Sequence, residues 1–410
     1  MAKSQVFENP FRPGAGHMPR YLAGRTVEQD EMRHLLMQRI VMSNLVLTGL
    51  RGVGKTVLLE TFKPIATSQG WLWCGNDLSE QASISEETMA IRILADIALI
   101  TSAMVVKETR QLALGFARTE RVIHEPLNYD VLMEHFNKTP GLISDKLKST
   151  IEFVWSVMPQ AAISGIIFAY DEAQTLADHV ADKQFPMSLL LDVFQSLQRK
   201  NIPTMLVLSG LPTLPAKLVE ARTYSERMFH TMFLKPLDEP SARLAITMPI
   251  TDSDCPISFS EDAIEVIMKE SAGYPFFIQY FCRDVFDVWI AKIQQGEALS
   301  VPVADIIRKL DNDFFHGRWA KTTDRQRELL QVVSMLENAD LEFTVQEVVA
   351  SSQDTLKRAF TPSHVSQMLS ALAQAGLVYK NRHGRYSLAV PLLAQFIQRQ
   401  TAATIRWPGP

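Results

Sequence analysis

Eight consecutive residues constrain this chain more than any other stretch: Gly49-Leu50-Arg51-Gly52-Val53-Gly54-Lys55-Thr56. An apolar run, Leu45-Val46-Leu47-Thr48, precedes them, and a helical pattern starts at about Lys55. The spacing is GxxxxGK[ST]. Glycines let such a loop curl until its backbone N–H groups point inward at phosphate oxygens. The helix that follows adds the positive end of its dipole. Lys55 is placed to reach the β- and γ-phosphates, and the Thr56 hydroxyl to bind Mg²⁺. Gly49, Gly52, Val53, Gly54, Lys55, Thr56 and Val57 are therefore the candidate phosphate-side residues. A buried strand before the turn and a helix after it point to an α/β core.

The expected companion lies at Ile166-Ile167-Phe168-Ala169-Tyr170-Asp171-Glu172, an apolar strand ending in two acids. Asp171 would hold Mg²⁺, and Glu172 could polarise an attacking water as general base. A further strand, 204–209, ends at Ser209, which could sit between the γ-phosphate and that water. Shorter strands are expected at 71–74 and 232–234, and a helix at 187–199. Strands that alternate with helices, and that are continuously apolar, predict a parallel sheet covered on both faces. Helical patterns dominate 85–159, and the insert 106–160 is expected to be helical.

Beyond Pro236 the strand signal stops. Helices are expected at 240–247, 260–271, 275–295 and 301–311, which reads as a small helical domain over 237–315. The last ninety residues differ again. Thr323 with Gln326, and Thr344 with Glu347, form capping-box pairs. Thr361 and Pro362 open a third helix that carries Val365, Met368, Leu369 and Leu372 on one face. Residues 377–388 read as a hairpin. Three helices and a hairpin give the winged-helix order over 321–400. The divisions expected are thus an N-terminal arm (1–40), a core (41–236), a helical lid (237–315) and the winged helix.

Composition excludes several classes. Apolar residues make up 47% and charged residues 21%, values ordinary for a globular chain. The formal charge of −4 rules out a uniformly basic nucleic-acid coat. The charge is uneven, however. Residues 321–410 hold 10 basic and 7 acidic residues, net +3, which leaves 31 and 38, net −7, for the rest. The basic residues nearest the third helix and the wing are Lys357, Arg358, Lys380, Arg382 and Arg385, whereas the face of that helix, Ser363, Ser366, Gln367 and Ser370, is neutral. Cys74, Cys255 and Cys282 are far apart and fit neither a disulfide framework nor a zinc site. The first residues lack the apolar core of a signal peptide, and no run is long enough to span a bilayer, so a cytoplasmic protein is expected.

With these motifs in hand, the chain resembles the AAA+/STAND superfamily of P-loop ATPases, in particular the branch near the origin-recognition ATPases. The likeness runs from about residue 21 to residue 399, in the order P-loop core, helical lid, winged helix. It implies that Asp171 and Glu172 are the Walker B acids and Ser209 the sensor-1 residue. Tyr21-Leu22-Ala23-Gly24-Arg25 is similar to the family's N-terminal box, which places Tyr21, Leu22 and Arg25 beside adenine. Gly273-Tyr274-Pro275 resembles the Gly-x-Pro motif of STAND-like lids, where the proline packs on the base. This departs from the sensor-2 arginine of many AAA+ proteins and favours a switch that holds nucleotide for long periods. The stretch Ala221–Phe229 resembles the segment that carries arginine fingers, which implies a homo-oligomer, with Arg227 as first choice and Arg222 as second. The expectation is an ATP-binding, slowly hydrolysing switch that engages DNA through the winged helix. The alternative is a signalling or defence ATPase whose winged helix docks a protein effector.

Overall fold

The computed structural model describes residues 7–405 apart from 39, 76, 113–119, 159–161, 252–256, 338, 340–341 and 383. Cys255, His383, the first six residues and the last five thus lie outside the described residues. The chain divides into two compact units.

One unit comprises residues 26–48 and 58–233. Its strands are β1 (Asn44–Thr48), β2 (Trp71–Cys74), β3 (Val105–Leu112), β4 (Glu120–Pro126), β5 (Gly165–Tyr170), β6 (Thr204–Gly210) and β7 (Phe229–Phe233). Five of them form a parallel sheet in the order β2-β5-β6-β1-β7. Every residue of β1, β5 and β6 is buried, as continuous apolar strands covered on both faces must be. On one face Phe168, Tyr170, Leu206 and Leu208 join Ile93, Ile97, Leu190 and Phe194 in a single core. The register is pinned at the start of β1. Asn44, 1% exposed, accepts from the Leu206 N–H and the Gln198 amide, both at 2.8 Å, and donates to the Met228 carbonyl.

The segment expected to be helical over 106–160 is corrected in its first part. β3 and β4 form an antiparallel hairpin, and helices follow only at Tyr129–Lys138 and Ile143–Val157. Val105, Val106, Thr109, Val122 and Ile123 are β-branched, and such side chains prefer the pleated backbone.

The other unit comprises residues 1–25, 49–57 and 234–410. Its lid helices are Glu239–Thr251, Glu261–Ser271, Pro275–Gln295 and Val303–Leu310. A wide π-turn, Asp311–Phe315, continues the last of these. The C-terminal part runs Asp324–Ser334, β8 (Phe343–Thr344), Val345–Thr355, Pro362–Gln374, β9 (Val378–Arg382), β10 (Arg385–Leu388) and a final helix Leu393–Ile405. Both capping boxes form as the sequence predicts, at Thr323–Gln326 and Thr344–Glu347. β8 adds to the hairpin as a third strand, in the order β8-β10-β9. Val365, Met368, Leu369 and Leu372 are buried, so the amphipathic reading of that helix holds. Among the described residues no helix is long and apolar enough to cross a membrane.

Candidate active site

The phosphate loop begins at the residue after β1. Gly52 and Gly54 hold φ of +78° and +95°, backbone that L side chains rarely adopt. Space is also limiting at Gly52, where an added Cβ would lie 3.1 Å from Cβ of Phe276. Among the described residues, the backbone N–H groups of Gly52, Val53 and Gly54 donate to no protein acceptor, although Val53 is 1% exposed. Buried donors normally find partners, so a polyanion fits this curl. The Lys55 ammonium lies over the start of the loop and donates to the carbonyls of Gly49 at 2.9 Å and Leu50 at 3.0 Å.

The lid and the N-terminal box buttress this loop within the same unit. Phe276 donates its N–H to the Gly52 carbonyl at 3.1 Å, at the N-terminus of Pro275–Gln295. Pro275 occupies the first turn of that helix, and its Cγ would lie 4.0 Å from a Cβ at Gly54. The Arg25 guanidinium, 6% exposed, donates to the Val53 carbonyl at 3.0 Å and the Lys235 carbonyl at 2.8 Å. Arg25 thus ties the box to the loop through backbone carbonyls. Tyr21 and Leu22 are half-buried beside it.

The acids lie at the carboxyl end of the sheet in the other unit. Ser209 at the end of β6 is fully buried and donates its hydroxyl to Asp171 Oδ1 at 2.6 Å. The Glu172 N–H donates to the same oxygen at 2.8 Å. Two donors on one carboxylate oxygen favour the charged, oriented form of Asp171. Ser209 therefore acts on the acid rather than presenting a free hydroxyl. Glu172 is exposed, sits in the left-handed region at φ +52°, and accepts a hydrogen bond from the Gln174 side chain. Gln174 also accepts from the Leu211 N–H at 3.0 Å, just beyond β6. Sequence reasoning missed Gln174, for no spacing rule marks an amide two residues past the acids.

The two arginine candidates differ. The Arg222 guanidinium is bidentate to Asp192 at 3.0 and 2.7 Å and donates to Ser188 Oγ at 2.6 Å. The Tyr224 hydroxyl joins on Asp192 at 2.6 Å. Burial raises the Asp192 carboxyl, but the Arg222 and Tyr224 hydrogen bonds outweigh it and leave the group below its usual range. Arg222 is thus held inside its own chain, which corrects its candidacy as a finger. Arg227 is exposed and makes no ion pair among the described residues. The expected result is that Arg222→Ala destabilises the fold by about 1–2 kcal/mol, since it strands Asp192 and Tyr224. Chemical denaturation measures this. Arg227→Ala should leave that midpoint unchanged.

No curated protein matches the chain in sequence. A family model described as a domain of unknown function (DUF8462) matches residues 312–397. Among solved structures, the Walker-type ATPase paby2304 of Pyrococcus abyssi superposes with a TM-score of 0.54 at 13% identity, over 92% of this chain and 96% of that one. The Aeropyrum pernix ORC2 protein, in its ADPNP-ADP complexes, matches with a TM-score of 0.54 at 12% identity, over 96% and 98%. Its ADP form matches with the same TM-score at 14% identity, again over 96% and 98%. At identities this low the likeness is one of architecture, and that architecture is the AAA+ P-loop fold of the origin-recognition type.

Proposed function

We propose that the chain is an Mg²⁺-dependent ATPase working as a nucleotide-controlled switch on DNA. The observation that carries this reading is the prepared Asp171 carboxylate, held by Ser209 and the Glu172 N–H, in a chain whose β1 runs directly into GxxxxGK[ST]. In this reading the loop N–H groups and Lys55 bind the phosphates. Thr56 and Asp171 would hold the metal, which supplies charge neutralisation on the phosphoryl oxygens. Glu172 orients and deprotonates the attacking water. Its tie to Gln174 supports slow turnover, because that bond must yield before the carboxylate serves as a base.

Assembly belongs to the same reading. An exposed Arg227 can act on a neighbouring copy's nucleotide, so turnover per subunit should rise with protein concentration. Arg227→Ala should flatten that rise, whereas Arg222→Ala should keep it. A concentration series of phosphate release decides, and flat wild-type turnover would reject the trans role.

The DNA part rests on the C-terminal charge excess. Lys357, Arg358 and Lys380 are exposed and Arg385 half-exposed, while the Arg382 side chain lies outside the described residues. Lys380→Ala/Arg385→Ala should reduce the log–log salt slope of duplex binding by about 1.8, with ATP binding unchanged. Fluorescence anisotropy across a salt series, with and without ATP, tests this. Wild type showing no salt-dependent duplex affinity in either state would remove DNA from the reading. The exposed neutral face of Ser363, Ser366, Gln367 and Ser370 supports the second reading, a protein effector docked on this domain.

A further inference from the structure

Two arginines of the loop-bearing unit stand out by what they lack. The other half-buried or buried guanidiniums are committed: Arg92 to Asp96, Arg222 to Asp192, Arg399 to Asp311, Arg25 to backbone carbonyls. Arg51 lies inside the phosphate loop, between Gly49 and Gly52, and is half-buried. Its Nη1 would be 3.9 Å from a Cβ at Gly376, so the side chain reaches toward the domain matched over 312–397. Arg318 belongs to that domain and is also half-buried. It donates to the Phe314 carbonyl at 3.0 Å and stacks over the Phe314 ring at 5.2 Å. Among the described residues neither guanidinium has a carboxylate partner.

Their nearness is built into the packing. Phe314 packs against Phe276 with ring centroids 5.5 Å apart, and Phe276 is the residue bonded to Gly52. Arg318 is thereby placed on the loop's own buttress. Burial first, and then the like charge of Arg51, hold the Arg318 guanidinium below its ordinary pKa. Two cations drawn together without an acid repel each other unless an anion joins them, and a phosphate oxygen set matches the guanidinium fork.

We propose that Arg51 and Arg318 form a phosphate-binding pair that takes the terminal phosphate of a bound nucleoside triphosphate, so that the 312–397 domain supplies a residue to the nucleotide site. The pair reads the terminal phosphate because Arg51 sits in the loop that cradles the chain of phosphates. A nucleoside diphosphate offers it nothing to bind. The 312–397 domain would then be held to the loop in the triphosphate state and released after hydrolysis. This rests on the nucleotide-binding reading above.

The test is equilibrium binding of ATP and of ADP to the full chain, for wild type, Lys55→Ala, Arg318→Ala, Arg318→Gln and Arg51→Ala. The pair predicts that each arginine variant loses about 10–100-fold in ATP-over-ADP preference, with ADP affinity held. Arg318→Gln retains the packed stem over Phe314, and Arg51→Ala removes no packing partner of Phe314, so a misfolded Arg318→Ala does not decide the matter. An equal loss for ATP and ADP would make Arg318 a packing residue and overturn the pair. An unchanged ratio with weakened duplex binding would overturn it in favour of a nucleic-acid phosphate contact. If Lys55→Ala abolishes binding while the arginine variants keep the wild-type ratio, only this proposal falls. If wild type binds neither nucleotide, or Lys55→Ala binds like wild type, the nucleotide reading itself falls and takes the pair with it.

Discussion

Lys55→Ala is expected to weaken ATP binding by about 2–5 kcal/mol, the usual cost of removing one partner from a desolvated charge pair. Two structural effects act in the same direction. The ammonium now braces the loop through the Gly49 and Leu50 carbonyls, so its removal also loosens the curl. The positive charge is also the first contact for the outer phosphates. Titration with a labelled nucleotide measures the loss, and the unfolding midpoint of the free variant checks that the fold survives. A folded variant with wild-type affinity would remove the nucleotide reading altogether.

The second large effect is expected at Glu172→Gln. Binding should persist, and single-turnover hydrolysis should slow by about 10²–10⁴-fold. The substitution preserves shape, and its amide can still bond to Gln174, so the left-handed backbone at this position is not disturbed. Quenched-flow or manual-quench measurement of bound ATP conversion gives the rate. Wild-type turnover in this variant would mean that another group activates the water.

The sheet and its two motifs were legible because each is a local signal. β1, β5 and β6 are unbroken apolar runs, and the glycine loop and the acid pair sit at their ends. The C-terminal helices were legible for the same reason, since capping boxes write helix starts into neighbouring residues. Residues 105–126 were misjudged because alternation in a two-stranded hairpin is short, and a helical period can be fitted to it. Arg222 was misjudged for a different reason. Its partner Asp192 lies thirty residues upstream, and nothing in the local stretch distinguishes a guanidinium held by its own chain from an exposed one. Gln174 and Arg318 share that limit, for each acts only through residues the fold brings to it.

The π-turn at Asp311–Phe315 has a consequence for length rather than for composition. A wide turn holds one residue more than the α register allows, so Phe314 and Phe315 leave the helix on different sides. Phe314 meets Phe276, and Phe315 stacks on Phe396 of the final helix at 5.0 Å. Deleting one residue would let the segment relax to a regular helix and turn everything after it by about 100°. Substitutions on its exposed side, at Asn312 or Asp313, leave that phase intact. A deletion at the same place would swing one ring off the loop's buttress or the other off the final helix. The segment is therefore a counted spacer, permissive in its letters and strict in their number.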